Sequence, residues 1–145
     1  MQINDHTAFQ VSDLEKSIEF YTKFLGLNFK SKNINEEEQE AYAFLELNGG
    51  GLELIQKMDS EYEKPAIKPP YCPHLAIETK DMNHTLNLIK KNRINIIRGP
   101  LEGEDGEKWI YISDPDNNII EFIDWGPITR KVQGSGPGNN SGTYI

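Results

Sequence analysis

Only one cysteine, Cys72, occurs in the chain. A disulfide framework is therefore excluded, and a reducing compartment, the cytoplasm, is the expected setting. Positive charge is scarce, with 15 Lys and Arg against 23 Asp and Glu and a net charge of −8. That excludes nucleic acid as a partner, because phosphate binding draws its affinity from clustered basic side chains. No apolar run approaches the roughly 18 residues of a membrane-spanning helix, so no membrane partner is expected. The start, Met1-Gln2-Ile3-Asn4-Asp5, lacks the basic segment, apolar run and small-residue cleavage site of a secretory leader. With 37% hydrophobic and 26% charged residues, the 145 residues suit a globular fold with a core of its own.

What is there is a duplication. A shift of 68 positions lays the first half on the second. His6, Ala8 and Asp13 fall on His74, Ala76 and Asp81, and Leu14, Ile18 and Tyr21 fall on Met82, Leu86 and Ile89. Further on, Phe44 falls on Ile112, and Leu52-Glu53-Leu54-Ile55 falls on Ile120-Glu121-Phe122-Ile123. The spacing from His6 to Glu53 is 47 residues, and so is that from His74 to Glu121.

Each copy reads as strand, helix and three strands, an α+β fold made of two βαβββ units. Residues 6–11 and 74–79 suit strands. Ser12, three before Glu15, makes a capping-box pattern, and Asp81 can cap the second copy, so helices are expected from about 13 and 82. Leu14, Ile18, Tyr21 and Leu25 form a stripe of helical period, and Gly26 ends it. Strands follow over 27–30 and 94–98, and hairpins over 41–47 with 52–56 and 108–113 with 119–124. The expected organisation is a first unit over 1–56, a polar, Pro-rich connector over 57–72, a second unit over 73–127 and a flexible Gly- and Ser-rich tail over 128–145.

Alternation puts His6, Ala8 and Gln10 on one strand face, and His74, Ala76 and Glu78 repeat this. Glu53 and Glu121 are carboxylates set among apolar residues, which requires water, a partner or a metal opposite them. Singly, such residues are more often core or surface than ligands. Four at matched offsets favour one divalent metal ion bound by His6, Glu53, His74 and Glu121. A mixed nitrogen and oxygen set suits nickel, zinc, cobalt, manganese or iron.

These residues, in this order on a doubled unit, resemble the vicinal oxygen chelate superfamily, which includes glyoxalase I, methylmalonyl-CoA epimerase, extradiol dioxygenases and the fosfomycin- and bleomycin-resistance proteins. The resemblance covers residues 3–125 and implies an α+β fold in which the two βαβββ units form a curved mixed sheet. It is carried by the run from His6-Thr7-Ala8-Phe9 to Ile18-Glu19-Phe20-Tyr21, by Leu25-Gly26-Leu27 and Pro73-His74-Leu75-Ala76, and by Ser113-Asp114-Pro115-Asp116 leading to Ile120-Glu121. The His, Glu, His, Glu set is similar to that of glyoxalase I. This implies a metal-dependent lyase or isomerase acting on a 2-oxoaldehyde–thiol hemithioacetal or a similar vicinal-oxygen substrate, with Glu121 as the base and Glu53 as its symmetric twin. Gln10 stands where bacterial glutathione-using members carry Arg, and Lys57 where they carry Asn, which counts against glutathione. Gln10, Arg98 and Lys108 are the candidate substrate contacts. The resemblance also implies a homodimer, whose site lies either within one chain or across the dimer.

Three other readings stand beside this one. A methylmalonyl-CoA epimerase-like enzyme would use the same metal positions but needs a second base near Tyr42 and Ala43. An iron dioxygenase would use only His6, His74 and Glu121. A metal-free ligand-binding protein of the bleomycin-resistance kind has no need of the four residues. Among the remaining features, Glu36-Glu37-Glu38 and Gly103-Glu104-Asp105-Gly106 read as exposed loops, His84 as exposed on the second helix, and Cys72 as a small buried hydrophobe.

Overall fold

A computed structural model describes residues 1–127. The expected flexible tail over 128–145 lies outside the described residues. Strands β1 (His6–Gln10), β2 (Asn28–Asn35), β3 (Glu40–Leu47) and β4 (Gly50–Lys57) form one sheet in the order β1-β4-β3-β2. Strands β5 (Leu75–Glu78), β6 (Asn95–Glu102), β7 (Lys108–Ser113) and β8 (Ile119–Asp124) form a second in the order β5-β8-β7-β6. In each sheet the first strand pairs in parallel with the last. The two expected βαβββ repeats are thus present, and their second strands run well past the expected 30 and 98.

The described residues form two compact bodies, Met1–Cys72 with Ser113–Asn118, and Pro73–Ile112 with residues 119–127. The β7–β8 turn, part of the second repeat in sequence, therefore packs with the first body.

In the first body, α1 (Leu14–Glu19) runs on into a π-helical turn over Phe20–Phe24. Leu14, Phe20 and Tyr21 are buried with Phe9, Val11, Ala43, Leu45, Leu52 and Leu54, which strand alternation presents on one sheet face. The N-cap is Asp13, whose carboxylate accepts from the Lys16 N–H, and not Ser12 as the capping-box pattern predicts. Ser12 instead donates its hydroxyl to Asp116 Oδ1 at 2.6 Å and its backbone N–H to Oδ2 at 3.0 Å. The buried stripe passes through Ser17 and not Ile18, because Ser17 is fully buried while Ile18 is partly exposed. Gly26 does end the helical segment, with φ +77°, a conformation glycine adopts without steric cost.

In the second body α2 (Met82–Lys91) is capped as expected, with Asp81 accepting from the His84 N–H. One further device recurs at the 68-residue shift. The Gln56 side chain accepts from the Leu14 N–H at 2.8 Å, and the Asp124 side chain accepts from the Met82 N–H at 3.3 Å. The last strand of each repeat thereby satisfies an orphan donor at the start of its helix.

A constant shift nevertheless mispairs the middle of the repeats. Buried Ala43 and Leu45 correspond to buried Ile110 and Ile112, so the partner of Phe44 is Tyr111 and the local shift is 67. The π-helical turn adds one residue to the first repeat, and the longer β7–β8 turn adds one to the second. The two differences cancel, which restores the spacing of 47.

The Asp114-Pro115-Asp116-Asn117-Asn118 turn is the polar centre of the first body. Asp114 Oδ1 accepts from the backbone N–H groups of Asp116 and Asn118, and Oδ2 accepts from the Tyr21 hydroxyl at 2.8 Å and the Asn118 amide at 2.9 Å. Tyr62 donates to the Asp116 carbonyl at 2.9 Å, and the Asn118 amide also reaches the Gln10 carbonyl at 3.0 Å. Burial pushes the Asp114 carboxyl above its usual range, opposed by the donors around it. Burial, then the charge and hydrogen bond of Asp114, raise the Tyr21 hydroxyl well above its ordinary value. Burial and the nearby carboxylates push Tyr62 up to about 12.

Asp114→Ala orphans four donors and is expected to cost about 3 kcal/mol or more, read as a lower urea midpoint. Tyr21→Phe removes one charge-assisted bond and is expected to cost about 1.5–3 kcal/mol. Both tyrosines hold their protons more tightly folded than unfolded. Their contribution to stability is therefore complete below about pH 10 and is lost as pH rises through the folded values. Unfolding free energy should fall between about pH 10 and 12, and the Tyr21→Phe/Tyr62→Phe variant should flatten that fall.

Candidate metal-binding and active site

Parallel pairing of β1 with β4 sets Ala8 opposite Glu53, which makes His6, two residues earlier, a diagonal neighbour of Glu53 on the same face. His6 Nε2 lies 3.7 Å from Glu53 Oε1. In the second body Ala76 stands opposite Glu121, and His74 Nε2 lies 2.9 Å from Glu121 Oε2. His74 immediately precedes β5, one residue outside the strand expected over 74–79. Each body thus brings together one imidazole and one carboxylate.

The surroundings of the two pairs correspond. The His6 ring meets Phe44 edge-on with centroids 5.6 Å apart, and the His74 ring meets Tyr111 edge-on at 5.6 Å. The second pair is the more sheltered, with His74 and Glu121 side chains 21% and 15% exposed against 36% and 18% for His6 and Glu53. Asp5 Oδ2 lies 2.6 Å from His6 Nδ1, so a proton on Nδ1 leaves the Nε2 lone pair directed toward Glu53. The hydrogen bond that the His6 ring donates to Asp5 raises the His6 pKa above its ordinary value; partial desolvation opposes this, and the charges of Glu53 and Asp5 reinforce it.

The donor set fits a divalent cation. Two ligands bound at about 2.1 Å and at right angles stand about 3 Å apart, so the 2.9 Å pair already has that separation and the 3.7 Å pair needs only a small torsional adjustment. A carboxylate behind the ring, as Asp5 is behind His6, orients a ligating imidazole and fixes its tautomer. Among the described residues no three His, Cys, Asp or Glu side chains stand together as one metal-holding group. The residues therefore gather as pairs.

The other sequence candidates are placed as follows. Gln10 is exposed on the His6 face of β1, and its carbonyl is held by Asn118. Arg98 is exposed on β6. Lys108 borders a small cavity with Met82 and Leu86 of α2, and strand alternation puts it on the face opposite to Tyr111. Lys57 donates to the Glu38 carbonyl and lies 3.6 Å from Asp59. Glu36, Glu37, Glu38 and His84 are exposed, as expected. Cys72 is exposed and not the buried hydrophobe expected, with its sulfur 3.6 Å from the Pro70 carbonyl. Sequence reasoning missed Asp5, although its position beside His6 was a usable signal. It also missed the aromatic wall of Phe44 and Tyr111, which the constant 68-residue shift concealed.

Comparison with known proteins agrees with this architecture. The family model of the Glyoxalase/Bleomycin resistance protein/Dioxygenase superfamily matches residues 3–122. A probable lactoylglutathione lyase of Vibrio cholerae is 36% identical over 124 residues, covering 81% of this chain and 87% of that protein. The metallothiol transferase FosB of Staphylococcus saprophyticus is 31% identical over 124 residues, covering 84% and 76%. The solved structure of a glyoxalase family protein from Enterococcus faecalis superposes with a TM-score of 0.68 at 20% identity, covering 82% of this chain and 94% of that one. No helix among the described residues is long and apolar enough to cross a membrane. The chain belongs to the glyoxalase/bleomycin resistance protein/dioxygenase superfamily.

Proposed function

We propose that the protein is a metal-dependent lyase or isomerase of glyoxalase I type, acting on a 2-oxoaldehyde–thiol hemithioacetal. The observation that carries this reading is the recurrence of an imidazole–carboxylate pair at the same diagonal of a parallel strand pair in both bodies. The lactoylglutathione lyase relatives support it. The metallothiol transferase relatives share the use of a thiol by name, and thiol transfer is the reaction to be measured beside it.

In this reading His6, Glu53, His74 and Glu121 hold one divalent ion. When bound, that ion supplies Lewis-acid charge for substrate oxygens. The remaining chemistry belongs to the chain. Glu121, the most sheltered of the four side chains, takes the proton from the carbon beside the substrate carbonyl and returns it to the neighbouring carbon. Glu53 is its counterpart in the first repeat. Phe44 and Tyr111 wall the two histidines and limit the water that could exchange with the carbon-derived proton. Gln10 lies on the His6 face, where it can contact substrate. The placement of Lys108 beside α2 favours a structural role.

Elemental analysis of the purified protein should find about one equivalent of divalent metal per chain, and His74→Ala should lose it. Two equivalents per chain would mean that each pair binds its own ion. Asp5→Ala should lower metal affinity about 10–100-fold in a chelator competition, because it releases the His6 ring. Glu121→Gln should keep most of the metal and reduce turnover of methylglyoxal hemithioacetals at least about 100-fold. Full activity in that variant would remove Glu121 as the base.

A further inference from the structure

Asparagine or aspartate is followed by glycine at two places, Asn48-Gly49 between β3 and β4 and Asp105-Gly106 between β6 and β7. A glycine carries no side chain to shield its backbone nitrogen, so that nitrogen can reach the carbonyl carbon of the preceding side chain and close a succinimide ring. Whether the ring closes depends on what else holds the two groups.

The two places differ in that respect. The Gly106 N–H, the group that would attack, donates to the Gly103 carbonyl at 3.2 Å, and the Asp105 N–H donates to the Glu107 carboxylate at 3.1 Å. Hydrogen bonds therefore hold the backbone on both sides of Asp105. At the β3–β4 tip the ladder ends with Leu47 opposite Gly50, and Asn48 is exposed beyond it. Among the described residues neither the Asn48 amide nor the Gly49 N–H is in a hydrogen bond. The tip is tied only through the Gly49 carbonyl, which accepts from the Asn4 amide at 3.5 Å, a weak contact. Gly49 has φ +87°, and a Cβ placed on it would meet nothing within 4 Å, so the space around the reacting groups is open. By contrast the amides of Asn92, Asn117 and Asn118 are all committed as donors, and none of these residues precedes a glycine.

We propose that Asn48 is a site of spontaneous deamidation, which converts the protein into a folded, more acidic form with aspartate or isoaspartate at this tip. The Gly49 nitrogen bonds to the Asn48 side-chain carbonyl carbon, the bond from that carbon to the amide nitrogen breaks, and ammonia leaves with the proton that the Gly49 nitrogen gives up. Water then opens the succinimide at either carbonyl. The resulting carboxyl group is ionised at neutral pH and adds one negative charge. Ring and products lie beyond the last ladder pair, so neither Leu47 opposite Gly50 nor Phe44 opposite Glu53 has to separate, and the strands that carry the site keep their register.

The test needs neither metal nor turnover. The purified full chain, kept in warm, mildly alkaline buffer, should release ammonia in step with an acidic shift of one charge on isoelectric focusing, and peptide mapping should place the change at Asn48. A methyltransferase specific for isoaspartyl carboxylates, supplied with labelled S-adenosylmethionine, should label the peptide containing residue 48 in preference to that containing Asp105. Asn48→Gln should remove the shift and the label, and Asn48→Asp should focus at the shifted position from the start. The shifted form should melt as cooperatively as the starting protein. An acidic form whose change maps to another asparagine, label favouring the Asp105 peptide, or a shifted form without cooperative melting would overturn the proposal. So would a native chain that stays unshifted while the urea-unfolded chain reacts at Asn48.

Discussion

Two buried carboxylates in one turn impose the constraint on which much else depends. Asp114 and Asp116 are 4% and 3% exposed, and a carboxylate withdrawn from water is tolerated only where donors replace the lost hydration. Tyr21, Ser12 and Asn118, with the backbone of the turn itself, supply those donors. This demand explains why Ser12 is diverted from capping the helix, leaving Asp13 to do so. It also explains why residues 113–118 pack with the first body although their neighbours on both sides belong to the second. Glu121 follows this turn by three residues, so the strand that carries it starts from a rigidly bonded point.

Parallel pairing explains the rest of the site. Parallel strands cannot be joined by a tight turn and require a long crossover, which each repeat supplies as a helix and two further strands. Residues 47 apart in sequence thereby become diagonal neighbours. The helix covers one sheet face, and the opposite face is left to His6, Glu53 and Phe44 in the first body and to His74, Glu121 and Tyr111 in the second. Core and chemistry are separated by nothing more than the alternation of the strands.

Much of this was legible in the sequence because duplication supplies an internal comparison. Matching His6 to His74 and Glu53 to Glu121 singled out four residues as one site, and the structure brings them together two by two, while Asp81 and Gly26 marked real helix ends. What was not legible depends on interactions distant in sequence or on local irregularity. Ser12 matches a capping pattern, but a carboxylate 104 residues away binds it more fully. The stripe of Leu14, Ile18 and Tyr21 assumed a regular α-helix and missed Ser17, which tertiary packing buries. The β-bulge at Lys30 in β2 leaves no mark in composition.

The compensating lengths of the two repeats carry a lesson about how such a chain tolerates change. A residue gained in a helical turn or between strands shifts the count but leaves each strand's inward and outward faces as they were. A residue gained inside a regular strand inverts every side chain beyond it. Divergence of the two copies by insertion and deletion has thus been channelled into connections and one distorted helical turn. For the same reason the exposed Asn48-Gly49 hairpin tip, unlike the bonded turn at Asp114, is the place where added length would be absorbed with least consequence for the paired residues.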